Sequence, residues 1–165
     1  MKERKIEIPL REYTYEELCA TDRRLVDAAR EMTRTSHAPY SRFHVGAAIL
    51  MDNGEIVCGS NQENAAFSSG TCAERTACFQ ASALHPGVPM RKIAIAAWTR
   101  LHQPENASFD DCFQLRPISP CGSCRQALLE YENMYGPIEV LLYGREGVVV
   151  LPSVASLLPL CFTEF

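Results

Sequence analysis

The sequence predicts one α/β domain, with helices packed on both faces of a mixed sheet. Two observations predict it. Segments of strand character and of helical periodicity alternate along the chain, with five strands in all, and no repeat, low-complexity tract or linker divides them. The 165 residues, 47% of them hydrophobic and 22% charged, suffice for a single domain with a sizeable core.

Residues 1–13 are charged and mixed. They read as a flexible arm or an added edge strand, an N-terminal extension to a domain spanning residues 14–165. Thr14-Tyr15-Glu16-Glu17 has the form of a capping box, and behind it Leu18, Leu25, Ala29 and Met32 recur at helical spacing up to Thr35. Ala38-Pro39-Tyr40-Ser41 breaks that helix. The apolar run Val45 to Met51 reads as a buried strand, turned by Asp52-Asn53-Gly54 into a second strand over Glu55–Ser60. Thr71 to Ala83 reads as a helix with Thr71 as its N-cap, ended by His85-Pro86-Gly87. Lys92 to Trp98 is a strand, and Leu101 to Arg116 is a long loop without pattern. A helix over Cys121–Tyr131 is entered through Pro117-Ile118-Ser119-Pro120. Strands over Ile138–Tyr143 and Val148–Leu151 flank a Gly144–Gly147 turn, and Val154 to Leu158 is a short helix.

Composition excludes several functions. Lys and Arg total 16 against 20 Asp and Glu, a net charge of -4, so the chain lacks the cationic surface that non-specific nucleic-acid binding requires. No apolar run reaches the roughly 18 residues of a membrane span. The charged start Met1-Lys2-Glu3-Arg4-Lys5 has no apolar stretch behind it, so it does not read as a signal peptide, and a cytoplasmic location is expected. Eight cysteines in such a chain suggest metal ligation, catalysis or small buried hydrophobes rather than a disulfide framework.

Spacing decides among these. Cys121 and Cys124 open a predicted helix three residues apart, so their thiols share one face and the helix N-terminus favours their thiolates. Alone, such a pair is equally a redox motif or half of a structural zinc site. Cys72 opens another predicted helix. If the two helix starts face each other, three sulfurs converge, and no further Cys or His has the spacing of a fourth ligand. Three ligands with an open position favour a catalytic zinc over a closed structural one. Glu74, two residues past Cys72, is placed to act as general base, or else only caps its helix. Arg75 is placed to donate to the sulfurs and offset their charge, or else is an ordinary surface arginine.

Cys72-Ala73-Glu74 with Pro120-Cys121-Gly122-Ser123-Cys124 resembles the signature of zinc-dependent nucleobase deaminases. Longer strings narrow the resemblance: Pro39-Tyr40-Ser41-x-Phe43-x-Val45-Gly46, Asn61-x-Glu63-Asn64-Ala65, Thr71 to Ala77, Ile118 to Gln126 and Leu157-Leu158-Pro159-x-x-Phe162. Together, across residues 38–162, they are similar to free-nucleoside cytidine deaminases of the small, homotetrameric type. That resemblance implies a three-layer α-β-α cytidine-deaminase-like fold, one zinc per subunit held by Cys72, Cys121 and Cys124, and hydrolysis of cytidine and 2′-deoxycytidine to the uridines in pyrimidine salvage. It implies that Glu74 moves protons from water to N3 and to the departing ammonia. It also implies that Asn61 and Glu63 bind the ribose hydroxyls and that Phe43 packs on the base. The Ala73 amide and Ser119 carbonyl would read the base edge. Phe162 would reach a neighbouring subunit's site, so the tetramer would share its active sites.

The physics of these residues agrees. A base stacked on an aromatic ring gains about 1–3 kcal/mol. Glu63 suits vicinal hydroxyls and would repel a phosphate, and no glycine-rich phosphate loop is evident. Bland roles remain open: Asn61 as a turn residue, Phe43 as core, Phe162 as plain packing after Leu157, Leu158 and Leu160. Three features depart from the family pattern. Ser60 stands where many relatives have Cys, the Leu101–Arg116 connection is long enough to reshape the entrance or an interface, and the tail ends soon after Phe162. Cys19, Cys58, Cys78, Cys112 and Cys161 are expected to be buried or incidental. His37, His44, His85 and His102 are expected in solvent or loops. Other classes are a deaminase of a different aminopyrimidine, a polynucleotide-editing module and a zinc-stabilised scaffold. Asn61-x-Glu63, the acidic balance and Glu74 respectively weigh against them.

Overall fold

In the computed structural model, which describes residues 1–101, 103 and 106–163, the apolar run from Phe43 becomes strand β2 (Phe43–Met51), paired on both sides. On one side the Asp52-Asn53-Gly54 turn, with Gly54 at φ +85°, returns the chain antiparallel as β3 (Ile56–Ser60). On the other lies β4 (Met90–Thr99), also antiparallel. The β4 pairing with β5 (Glu139–Gly144) is parallel, which demands a crossover, and helix α3 (Gly122–Tyr135) supplies it. Strand β6 (Gly147–Leu151) folds back on β5, and β1 (Arg11–Tyr13) closes the far edge, giving the order β1-β6-β5-β4-β2-β3.

The sheet therefore has six strands, not the five expected. The addition is Arg11-Glu12-Tyr13 on Val150, Val149 and Val148, so the last residues of the extension are part of the sheet. Three residues are too few to display a period of two. Of the two alternatives for residues 1–13, the added edge strand is the one found at Arg11–Tyr13, and what fixes it is the unpaired edge of β6.

Side-chain alternation sorts the sheet into two cores. Ala47, Ile49, Ile93, Ile95, Val140 and Leu142 face α2 (Ala73–Leu84) and α3; Ala48, Ala94, Ala96, Leu141 and Tyr143 face α1 (Ala20–Met32). Continuous apolar runs are what a sheet covered on both faces requires. Gly59 sets the height of α2 on the sheet. A Cβ there would collide with the Ala77 nitrogen and sit 2.7 Å from the Ala73 carbonyl, so the first turn of α2 lies directly on β3.

Several boundaries differ from expectation for local reasons. The Glu17 carboxylate accepts the Thr14 N–H at 2.8 Å, but this box heads a single 3-10 turn over Tyr15–Glu17, and α1 begins anew after Cys19. Thr71 is not the N-cap of α2. It exchanges two backbone bonds with Gln62, and Cys72 is the cap. Val154–Leu158 forms only a 3-10 turn over Ala155–Leu157. The long connection is not featureless. Its described part holds a 3-10 turn at Asp110–Cys112 and buries Cys112 and Phe113, with Phe113 in the core beneath α1. Arg30 of α1 pairs with Asp110 at 2.6 Å and lies over the Phe113 and Tyr143 rings, pinning this segment to the α1 side. Of the remaining cysteines, Cys78 and Cys112 are buried, Cys58 half-buried, and Cys19 and Cys161 exposed. His44 is not in a loop: it lies half-buried in β2, stacked on Trp98 at 4.2 Å. His102 lies outside the described residues.

Candidate metal centre and active site

The first turns of α2 and α3 meet at one end of the sheet. Cys72 and Cys121 are their N-caps, both in extended conformation, and Cys124 stands on the first turn of α3. The N-cap is where free N–H groups and the positive helix end converge, a setting that favours thiolates. The sulfurs lie 3.7 Å (Cys72–Cys121) and 3.3 Å (Cys121–Cys124) apart, all within 4.8 Å of one another. A tetrahedral zinc with bonds of about 2.3 Å holds its sulfurs about 3.8 Å apart, so the donor set fits zinc in both chemistry and spacing.

Electrostatics agrees. Hydrogen bonds from the Cys124 and Cys121 thiols and from Arg75 draw Cys72 down to about 5, against its burial. Cys124 moves the opposite way, raised by its bond to the Cys72 sulfur and by burial. One sulfur ionises at another's expense, and a cation is what lets all three ionise together. The Cys72 and Cys124 sulfurs raise the Arg75 guanidinium against its desolvation, so it stands within their electrostatic reach, while its buried Nε has no partner among the described residues.

Glu74 is 4% exposed, and burial raises its carboxyl above the ordinary range, with the Cys72 charge adding to the effect. It opens on a cavity of about 680 Å³, also lined by Cys72, Cys121, Arg75, Phe43, Asn61, Glu63, Ala73 and Ser119. Cys124 is buried behind the other sulfurs.

Asn61 and Glu63 reach this cavity through a backbone clasp. His37 accepts and donates bonds on one side of the 61–63 segment, and Thr71 exchanges two with Gln62 on the other. Both side chains already hold backbone. Asn61 Oδ1 accepts the Val45 N–H at 2.8 Å and Nδ2 donates to the Phe43 carbonyl at 3.0 Å. Glu63 accepts the N–H groups of Tyr40 and Ser41 at 2.9 and 3.2 Å. The Ser41 hydroxyl, with these amides and the His37 charge, holds the Glu63 carboxyl below its usual range.

Phe162 is not brought to this cavity within its own chain. It is 62% exposed, and its carbonyl accepts a bond from Gln126 at 2.8 Å. Reading the sequence for site residues passed over Tyr40, Ser41, Val45, Phe67, Thr71 and Ile118, which also line the cavity. Tyr40 and Ser41 signal only a turn, and their contribution is backbone.

Fold and site together define the class: a doubly covered sheet whose facing helix starts present a thiolate metal centre beside a buried carboxyl. A family model described as "Cytidine and deoxycytidylate deaminase zinc-binding region" matches residues 19–135. A cytidine deaminase of Sporosarcina psychrophila is 36% identical over 142 residues, covering 86% of this chain and 90% of that protein. One from Halalkalibacterium halodurans is 35% identical, over 84% and 92%. The crystal structure of cytidine deaminase from Burkholderia pseudomallei is similar at TM-score 0.67 and 37% identity, covering 84% of this chain and 97% of that one. The chain belongs to the cytidine and deoxycytidylate deaminase family.

Proposed function

We propose that the chain hydrolyses cytidine and 2′-deoxycytidine to uridine and 2′-deoxyuridine, consuming one water and releasing ammonia. The observation that carries this reading is a three-sulfur cluster, two of whose residues line the same cavity as a buried glutamate and a carboxylate–amide pair. Cys72, Cys121 and Cys124 hold one zinc per subunit, and zinc so held supplies the Lewis acid that makes water a nucleophile near neutral pH. With zinc bound, Glu74 would take one proton of the attacking water and deliver it to N3 of the base, then take the remaining hydroxyl proton and pass it to the amino group, which leaves C4 as ammonia. A buried carboxyl with a raised pKa suits that shuttle, because it accepts and returns a proton within one turnover. Ala73 and Ser119 line the cavity, and the N–H of the one and the carbonyl of the other read the O2 and amino edge of the base.

Phe43 packs against the base, and Asn61 and Glu63 receive the ribose hydroxyls. Each keeps acceptor capacity beyond its backbone bonds, since a carboxylate offers about four lone-pair sites and an amide oxygen two. The carboxylate repels a phosphate in the same place, so a nucleoside is the substrate rather than a nucleotide. The reaction belongs to pyrimidine salvage in the cytoplasm. Among the described residues no helix is long and apolar enough to cross a membrane.

The working assembly is a homotetramer in which Phe162 of one subunit enters a neighbour's site. Support comes from large apolar side chains left exposed outside the sheet: Phe67, Phe79 of α2, Met134 of α3, Leu160 and Phe162. Cytidine turnover followed by ultraviolet absorbance, alongside a zinc assay, tests the reading. Turnover with about one zinc per subunit supports it. Zinc without turnover of cytidine, or turnover unaffected by chelation, overturns it.

A further inference from the structure

On the opposite face of the sheet from the catalytic cavity, β2 and β4 end in a second, smaller cavity of about 230 Å³, lined by Arg42, His44, Trp98, Arg100 and Leu101. Phe43 and Val45 line the catalytic cavity, alternation sends His44 to this other side, and Arg42, just before β2, lines it too. His44 pairs with Trp98 and Phe43 with Thr99. Arg42 and Arg100 flank that last pair just outside the two strands, and both line this cavity, so two like charges gather at one place.

We propose that this cavity is a binding site for a tetrahedral oxyanion of the phosphate class. Arg30, Arg34, Arg91 and Arg145 each hold a carboxylate. Arg42 and Arg100, which line one cavity, hold none among the described residues. The Trp98 Nε1–H is buried and has no partner among the described residues. Arg42 adopts φ 54°, and no other non-glycine residue in the described chain has positive φ. That left-handed backbone is held by the bond from its N–H to the Ala38 carbonyl and by the Thr99 hydroxyl on its own carbonyl. A strained residue fixed on both sides, carrying an unpaired charge into a cavity, has the character of a binding position. Planar forked donors just outside two strands suit the oxygens of phosphate, and the volume admits the anion or a small phosphate monoester but not a whole nucleotide.

Trp98 is the chain's one tryptophan, so intrinsic fluorescence reads this cavity directly. The intact protein is titrated with sodium phosphate at constant ionic strength, balanced with chloride, and in a second arm with ribose 5-phosphate. The expected result is a saturable change in emission with phosphate and none with chloride. Tighter saturation in the second arm assigns the anion to a monoester; otherwise it is free phosphate. Arg100→Gln raises the midpoint about tenfold or more, the loss expected for a charged hydrogen bond, and leaves cytidine turnover unchanged. Arg42→Gly removes the other charge and suits the left-handed backbone, so it raises the midpoint as well without lowering the melting temperature. A change that never saturates, or the same midpoint in both variants as in the parent, overturns the proposal.

Discussion

The two halves of the catalytic cavity are built by opposite means. In the metal half, positioning is done by backbone: two helix starts, one of them seated on β3 at Gly59, carry Cys72, Cys121 and Cys124, and their side chains are left to the site. In the sugar half, positioning is done by the functional side chains themselves. Asn61 and Glu63 spend part of their hydrogen-bonding capacity on Val45, Phe43, Tyr40 and Ser41. A change of chemistry in the metal half can therefore leave the architecture alone, whereas a change in the sugar half disturbs architecture and binding together.

The largest effects test the first part of that contrast. Glu74→Gln preserves shape in a buried position where the carboxyl is already biased toward neutrality, so zinc content and melting temperature stay at the parent values. With no proton acceptor, kcat falls by about a thousandfold or more. Loss of zinc along with activity in this variant breaks the contrast. Cys72→Ala removes a ligand instead. It abolishes turnover, leaves the purified protein without zinc, and lowers the melting temperature by several degrees, because binding energy at such a centre is also folding energy.

The same division explains what was legible in the sequence. Helix starts announce themselves through residue type and spacing, so Cys72, Glu74, Cys121 and Cys124 were recognisable before any coordinates, and the structure brings them together. The five longer strands were legible because each is a run of apolar or β-branched residues bounded by turn residues. Strand β1 is legible only as one of two alternatives, an added edge strand or a flexible arm, because its pairing is dictated by a distant edge. The capping box at Thr14 is legible as chemistry but does not start α1, since one turn satisfies it. Phe109 and Phe113 lay unread in a segment without period. Their order comes from Arg30, Arg34 and the Trp98 and Tyr143 rings, contacts of long sequence separation. Sugar-half residues were legible by type, but not the backbone duties they also perform.

Those duties set the middle-sized effects. Asn61→Ala leaves the Val45 N–H and the Phe43 carbonyl without their partners. It costs about 1–3 kcal/mol of stability and raises KM for cytidine, read by thermal denaturation and by steady-state kinetics of the same preparation. Glu63→Gln keeps one acceptor oxygen and most of the geometry. Its KM for cytidine rises about tenfold to a hundredfold, corresponding to one charged hydrogen bond lost at the sugar, with a smaller fall in kcat. Discrimination between cytidine and free cytosine shrinks by the same factor. Equal loss on both substrates would assign Glu63 to architecture alone and sharpen the contrast to its limit.

Acidification gives the smallest and most discriminating effect, because the two carboxyls are displaced in opposite directions. Glu74 is raised, chiefly by burial, so its base form is lost while the pH is still above the ordinary carboxylate range. Glu63 is lowered, chiefly by the Ser41 hydroxyl, so it remains ionised through that range and gives up its charge only below it. For Glu63 the sign is that of any carboxyl with a depressed native pKa: its hold on Tyr40 and Ser41 is complete above the unfolded value and fails as pH falls through the lower native one. Between about pH 7 and pH 4, a span bracketing the ordinary glutamate value, kcat/KM should therefore decline through kcat first, while KM for cytidine stays flat. Parallel measurements with Glu63→Gln should keep the kcat limb and lose any rise in KM at the acid end. A KM that climbs at the same pH where kcat falls would mean that one group governs both halves of the cavity.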